Sequence, residues 1–247
     1  MRAALHGRPL AQVNREPIVR IRHLSHRFAG LAALSDVTFD VDRAAIFGLF
    51  GPPGAGKTTV LRAIATLLAP THGRVEVAGI DAAREPERVR QRVGYVADRA
   101  GVYPELTVEE YLAFFAAAHR VDASSSVERA LERTRLSDRR RERTRALMPG
   151  PLSRLHLARA LLHDPELLLL DDPAAPLEGA FKDELWTLLG ELRAAGKTTV
   201  LCSRIVADLR VCTSVAVLKK GQLTSLDHAP VAPEAPRNES PATEGPT

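Results

Sequence analysis

The sequence predicts an α/β fold, and three observations carry that prediction. Short apolar runs of strand length alternate with segments of helical spacing along most of the chain. A glycine-rich stretch, residues 51–59, lies between an apolar run and a helical one. A second continuously apolar run, residues 167–170, ends in two carboxylates, Asp171 and Asp172. With 247 residues and 45% apolar content, the chain is long enough for one large domain with a filled core, which excludes disorder throughout.

The elements follow in order. Residues 18–22 read as a strand, followed by Phe28 and a turn at Ala29 and Gly30. Residues 36–41 alternate so that Val37, Phe39 and Val41 share one face, the pattern of a half-buried strand. Residues 45–50 are almost continuously apolar, as a strand buried on both faces should be. Beyond the glycine loop a helix is expected from Lys57 to about Ala69, stopped by Pro70. Residues 75–77 with Gly79 read as an edge strand and turn, 85–92 as a charged helix, and 93–96 as the next strand. From 98 to about 163 strand signals vanish, and 107–120 and 127–136 carry helical spacing. Thr107 and Glu110 make a capping box at the start of the first of these helices. Strand signals return at 167–170, 198–202, 215–218 and 222–224, with a helix at 181–194 whose Trp186 belongs to the core. Residues 1–17 form a polar arm without the apolar stretch of a signal peptide, and 228–247 are expected to be a disordered tail of Pro, Ala, Glu, Ser and Thr.

Composition narrows the setting. Cys202 and Cys212 are the two cysteines, each in an apolar stretch with no metal-ligand spacing, which fits a reduced cytosolic location. No segment approaches the ~20 apolar residues of a spanning helix. The net charge of +4 rests on arginine, since lysine is limited to Lys57, Lys182, Lys197, Lys219 and Lys220. Arg139, Arg140 and Arg141 centre an Arg-rich stretch from 133 to 145, yet no Phe, Tyr or Trp lies between Phe115 and Phe181 to stack on bases. That stretch reads as a solvated surface, and nucleic acid is not the expected partner.

The strongest chemistry lies in Gly51, Pro52, Pro53, Gly54, Ala55, Gly56, Lys57, Thr58 and Thr59, a full match to G-x-x-x-x-G-K-[ST] between a strand and a helix. Glycines let successive backbone N–H groups converge on phosphates, and the helix presents its N-terminus to the same negative charge. Lys57 is placed to reach the β- and γ-phosphates of ATP, and Thr58 to offer its hydroxyl to Mg²⁺. A buried strand before Asp171 delivers that carboxylate to the carboxyl end of the sheet, where ligands of open α/β sheets sit. Asp171 then supports Mg²⁺ as the Walker B residue; read alone, it is equally a capping Asp before Pro173.

A phosphate loop does not by itself separate kinases, GTPases and transport ATPases. From 18 to 226, however, the order of segments resembles the ATP-binding cassette (ABC) family. Phe28 falls where that family stacks an aromatic ring on adenine, and Val93, Gly94, Tyr95 and Val96 resemble the strand before its Q-loop. The run GVYPELTVEEYLAFF (101–115) resembles the start of the helical subdomain in the exporter branch, LMPGPLSRLHLARA (147–160) the L-S-G-G-Q signature and its helix, and 163–173 the stretch through Walker B. The resemblance implies a P-loop NTPase with a RecA-like ABC core at 18–227, an antiparallel β subdomain, and a helical subdomain at about 98–163. It also implies MgATP as ligand, head-to-tail pairing as a homodimer or heterodimer, and a separately encoded membrane permease that holds the chain at the inner face of the membrane. A DNA-associated or regulatory ABC ATPase is the alternative of another class.

The departures from the family pattern concern hydrolysis. Asp98 stands at the Q-loop glutamine, where a carboxylate still accepts from water or binds Mg²⁺. Met148 replaces the signature serine expected to meet the γ-phosphate on the opposing subunit, Pro149 replaces a glycine and its N–H, and only Gly150 survives. Asp172 is one methylene shorter than the family's catalytic Glu, Pro176, Leu177 and Glu178 alter the D-loop, and Arg204 occupies the switch-histidine position. The resemblance therefore implies ATP binding with impaired hydrolysis, against the alternative that this branch has adapted to these residues.

Overall fold

The computed structural model describes residues 16–98 and 100–227. The expected tail, and the expected arm apart from its last two residues, lie outside them.

Two sheets organise the chain. The first is antiparallel, in the order β2 (Leu31–Val41), β1 (Val19–Phe28), β4 (His72–Val77), β5 (Ile80–Asp81). The second runs β10 (Gln222–Asp227), β9 (Ser214–Lys219), β3 (Ile46–Phe50), β8 (Thr198–Ser203), β7 (Leu167–Asp171), β6 (Val93–Val96), parallel except for the β9–β10 hairpin. Central β3 and β7 are the two strands whose unbroken apolar runs mark burial on both faces, and every residue of β7, Asp171 included, is buried.

Helices complete the layers. On one face, α1 (Lys57–Ile64) and the antiparallel sheet close over the second sheet, with Phe39 stacked on Phe47 at 5.1 Å between ring centres. On the other, α5 (Pro149–Leu161) and α6 (Ala180–Ala194) bury Leu157, Leu161, Leu189 and Trp186. A third core joins α3 (Val108–Ala118), α4 (Ala123–Arg133) and α5 around Tyr111, Leu112 and Leu131. Among the described residues no helix is long and apolar enough to cross a membrane.

Several boundaries differ from the sequence expectation. The first helix stops at Ile64 instead of Ala69: Thr66 turns left-handed at φ 60°, and the amides of Leu67 and Leu68 both return to the Arg62 carbonyl. Leu67 is 58% exposed, so no apolar face remains to reward a longer helix. The first two strands run on to meet at the Ala29–Gly30 turn, with irregular register and left-handed His23 and Asp36 absorbing the mismatch. β4 is not a bare edge, because β5 covers Glu76 and Val77. The charged helix shrinks to α2 (Pro86–Arg90). The second subdomain helix starts earlier, at Ala123, where Asp122 accepts from the Ser125 amide, a cap that apolar spacing alone conceals. The Thr107–Glu110 capping box forms reciprocally, at 2.8 and 3.2 Å.

The Arg-rich stretch is paired within the chain. Arg140 reaches Glu109 at 2.7 Å and Glu128 at 3.2 Å, Arg139 reaches Glu142, Arg145 reaches Glu105, and Arg133 reaches Asp164. Each exposed pair adds roughly 0.2–1 kcal/mol at most, but together they engage the cations that a phosphate backbone would need.

Candidate nucleotide site

The site forms where β3 ends and α1 begins. Gly54 and Gly56 take φ of 77° and 101°, which only glycine adopts without strain, and a Cβ on Gly56 would stand 2.6 Å from Leu34 and 2.9 Å from the Ala33 carbonyl oxygen. A Cβ on Gly51 would collide with the Leu218 carbonyl oxygen of β9. The loop is closed from behind by Gly221, in the turn between β9 and β10. Its amide donates to the Ala55 carbonyl at 3.1 Å, and its own carbonyl accepts from the Ser35 amide at 2.8 Å. Sequence reasoning passed over Gly221; the signal was a glycine directly after Lys219 and Lys220 in a hairpin turn.

One cleft is lined by Pro53 to Thr59 of the loop together with Ala33, Asp98, Asp171, Asp172 and Arg204. The Lys57 ammonium donates to the carbonyls of Gly51, at 2.7 Å, and Pro52, at 3.1 Å, so its charge sits in the crook of the loop. Thr58 Oγ1 donates to Asp171 Oδ1 at 3.1 Å. Burial raises the Asp171 carboxyl above its ordinary range; the Thr58 hydrogen bond opposes this, while the charges of Asp98 and Asp172 add to it. Asp172 is likewise raised by burial, with Arg204 opposing: Arg204 Nε lies 3.4 Å from Asp172 Oδ2. Asp172 takes a left-handed φ of 52°, and its Oδ1 is buried with no hydrogen-bond partner in the protein.

Asp171 is buried, Asp172 half-buried and Asp98 exposed, and Thr58 with Asp171 is the pair that would hold Mg²⁺ here. No cluster of three His, Cys, Asp or Glu among the described residues forms a metal cage. Magnesium in such a site takes the rest of its octahedron from phosphates and water.

The remaining candidates lie elsewhere. Phe28 stands outside the cleft at the tip of the β1–β2 hairpin, 46% exposed and edge-on to His26 at 4.5 Å. Met148 is 69% exposed at the N-cap of α5, where it caps nothing with its side chain. Pro149 opens that helix at a position where its missing N–H costs no helical hydrogen bond. Gly150 is buried against Phe181 of α6: a Cβ there would lie 2.5 to 2.7 Å from three ring carbons. Gly150 is thus the close-packing point between α5 and α6 within the chain.

Fold and cleft together define a P-loop NTPase of the cassette type, with antiparallel and helical subdomains around a parallel core. The chain belongs to the ABC transporter family, whose model matches residues 34–175, and it carries that family's ATP-binding domain. It is 31% identical over 211 residues to the probable multidrug ABC transporter ATP-binding protein YbhF of Escherichia coli, a match covering 84% of this chain and 36% of that protein. It is 34% identical over 201 residues to the daunorubicin resistance ATP-binding protein DrrA3 of Streptomyces coeruleorubidus, covering 80% of this chain and 64% of that one. The chain therefore spans less than two thirds of the length of either relative. A solved ATP binding subunit of an ABC transporter superposes with a TM-score of 0.77 at 28% identity, over 85% of this chain and 90% of that one.

Proposed function

We propose that this chain is the nucleotide-binding subunit of an ABC exporter, that it holds MgATP in the cleft, and that it hydrolyses it slowly. The observation that carries this reading is the meeting of Lys57, Thr58, Asp171, Asp172 and Arg204 in one cleft, with Arg204 beside Asp172. Lys57 and the loop amides bind the phosphates, Phe28 supplies an aromatic face for the base, and Thr58 with Asp171 holds Mg²⁺, which neutralises phosphate charge when bound. Asp172 is the carboxylate placed to take a proton from the attacking water, and Asp98 the second acceptor for that water. Arg204 opposes the burial that raises the Asp172 carboxyl, and, with donors only, it does not accept a hydrogen bond as a histidine can. Arg204 instead clamps the γ-phosphate, favouring a long-lived ATP-bound state.

The exporter assignment rests on the relatives named for multidrug and daunorubicin resistance. The chain pairs head to tail with a second cassette, presenting Met148 and the α5 N-terminus to the other subunit's nucleotide. A permease docks beside Asp98 and α3, where Tyr103, Leu106 and Phe114 form an apolar surface, and holds the chain at the cytoplasmic face of the membrane. Co-purification with a hydrophobic membrane protein is the expected outcome; salt-sensitive DNA binding without one refutes this part.

Repair of the site tests the hydrolytic part. Asp172→Glu with Arg204→His rebuilds the half that orients water, and Met148→Ser with Pro149→Gly the opposing half. Residues acting as a unit are non-additive, so the fourfold variant is expected to hydrolyse ATP faster than the parent, and each pair alone to gain much less. A parent that already turns over at about 10 per second, the enzyme median, refutes slow hydrolysis.

A further inference from the structure

Arg204 stands on a turn that its own residues do not anchor. Residues 204–207 are all exposed, so no apolar burial holds the chain between the end of β8 and Asp208, in the short 3-10 helix Val206–Val211. The residues that flank the exposed stretch are both polar and both buried: Ser203 and Asp208 are each 1% exposed.

These two are bonded to each other across the turn. Ser203 Oγ donates to Asp208 Oδ2 at 2.8 Å and accepts from the Ile205 amide at 3.0 Å, and the Asp208 amide donates to the Ile205 carbonyl at 3.1 Å. The residue after Arg204 is therefore fixed through its N–H and its C=O, and the residue before it through its hydroxyl and its pairing with Phe50 of β3. The other carboxylate oxygen, Asp208 Oδ1, accepts from Lys182 Nζ at 3.1 Å, and Lys182 lies in the first turn of α6, soon after 176–178. Asp172 is tied to the same strand end, since its amide donates to the Cys202 carbonyl at 3.2 Å. Cation and carboxylate are thus both referred to the end of β8, where Arg204 Nε lies 3.4 Å from Asp172 Oδ2.

We propose that Asp208 is a positioning residue for Arg204: bonded to Ser203 and Lys182, it fixes the turn that carries the guanidinium beside Asp172. By taking the Ser203 proton, Asp208 leaves a lone pair of that hydroxyl for the Ile205 amide. With the backbone held on both sides, the Arg204 side chain, 54% exposed, reaches the cleft without the added freedom of a bare surface turn. Stability alone does not call for this arrangement, because apolar side chains often replace a buried ion pair without loss. What they do not replace is the acceptor that orients Ser203.

The nucleotide half of the test rests on the proposed role of Arg204 at the γ-phosphate; the geometric half does not. Lys182→Met with Asp208→Val exchanges the ion pair for apolar side chains and releases Ser203, and Ser203→Ala, which deletes one hydroxyl, carries the same test if the double variant does not fold. By NMR of the nucleotide-free full chain, the Nε–H signal of Arg204, assigned by its absence in Arg204→Lys, is expected to stand apart from those of free arginines and to merge with them in the variant. A parent signal already at the free position, or one that the variant leaves unmoved, overturns the inference whatever the chain does with ATP. By calorimetry, the variant is expected to bind MgATP about 5-fold more weakly, within the coupling range of residues in one network, and MgADP as tightly as the parent. In an Arg204→Ala background the same substitutions should cost MgATP nothing. Lys182→Met with Asp208→Asn keeps an acceptor for Ser203 and should recover most of the affinity. Equal losses for ATP and ADP, or the same loss without Arg204, overturn the positioning role. If the parent binds no MgATP, or Arg204→Ala binds it as tightly as the parent, the proposed function fails there, while the Arg204 signal still decides this inference.

Discussion

Gly150 to alanine is the substitution whose effect follows most directly from the geometry. The new Cβ would lie 2.5 Å from Phe181 Cδ1 and 2.7 Å from both Cε1 and Cγ, whereas carbon atoms rest about 3.5–4.0 Å apart. The ring must retreat by roughly 1 Å, and Arg154, whose guanidinium lies 5.7 Å above it, must follow. Overpacking of this kind costs about 1–3 kcal/mol. Alanine recovers about 1 kcal/mol of helix propensity over glycine, leaving a net loss of about 0–2 kcal/mol. For a chain of this size that is a fall in Tm of up to about 8 °C. In a Phe181→Ala background the clash is gone and only the propensity gain remains, so the same substitution is expected to raise Tm by about 2–4 °C. Differential scanning calorimetry on the four proteins of the cycle reads the sign reversal directly. A Gly150→Ala shift of the same sign and size in both backgrounds refutes the packing role.

Three further outcomes are expected. Lys57→Ala removes the ammonium centred over the Gly51 and Pro52 carbonyls, and the loss of a charge-assisted contact of about 1.5–3 kcal/mol weakens MgATP binding roughly 10- to 100-fold by calorimetry; equal affinities refute the loop assignment. Asp171→Asn is expected to raise the Tm of the nucleotide-free protein at neutral pH. Because burial raises the Asp171 pKa in the folded state, the native chain holds the proton more tightly than the unfolded one; stability from this group is present at low pH and lost as pH rises through the folded pKa. The gain from the amide should shrink as pH falls towards the ordinary carboxylate range, and a gain independent of pH contradicts the linkage. The salt bridges of Arg140 with Glu109 and Glu128 are exposed, so Arg140→Ala is expected to shift Tm by no more than about 2 °C at moderate salt; a larger loss shows that they do more than cover the surface.

The parallel core was legible because its signals are local. Buried strands such as β7 are continuous apolar runs, and the phosphate loop requires glycine at fixed intervals. The capping box at Thr107 was legible for the same reason, its two hydrogen bonds spanning only three residues. The end of α1 was not: residues 65–69 are acceptable helix formers, and what stops them is that no surface waits to bury Leu67. Site membership divided in the same way. Lys57, Thr58, Asp171, Asp172, Asp98 and Arg204 were assigned by motif and order and do converge on one cleft. Gly150 was assigned to nucleotide by the same logic, yet its contact within the chain is Phe181, 31 residues away, which no local pattern reports.

Gly221 sets a condition on anyone who would transplant this phosphate loop. A Cβ at that position would stand 2.6 Å from the Ala33 carbonyl oxygen, and the residue's two backbone hydrogen bonds join residue 55 to residue 35. The loop is therefore the middle strip of a three-part laminate whose outer strips come from opposite ends of the chain. A graft carrying only residues 51–59 would arrive without its backing and lose the curvature that aims the amides. The smallest transferable unit includes the 33–35 segment and the hairpin turn at 219–222, and it would carry the orientation of the antiparallel sheet with it as a fixed attachment.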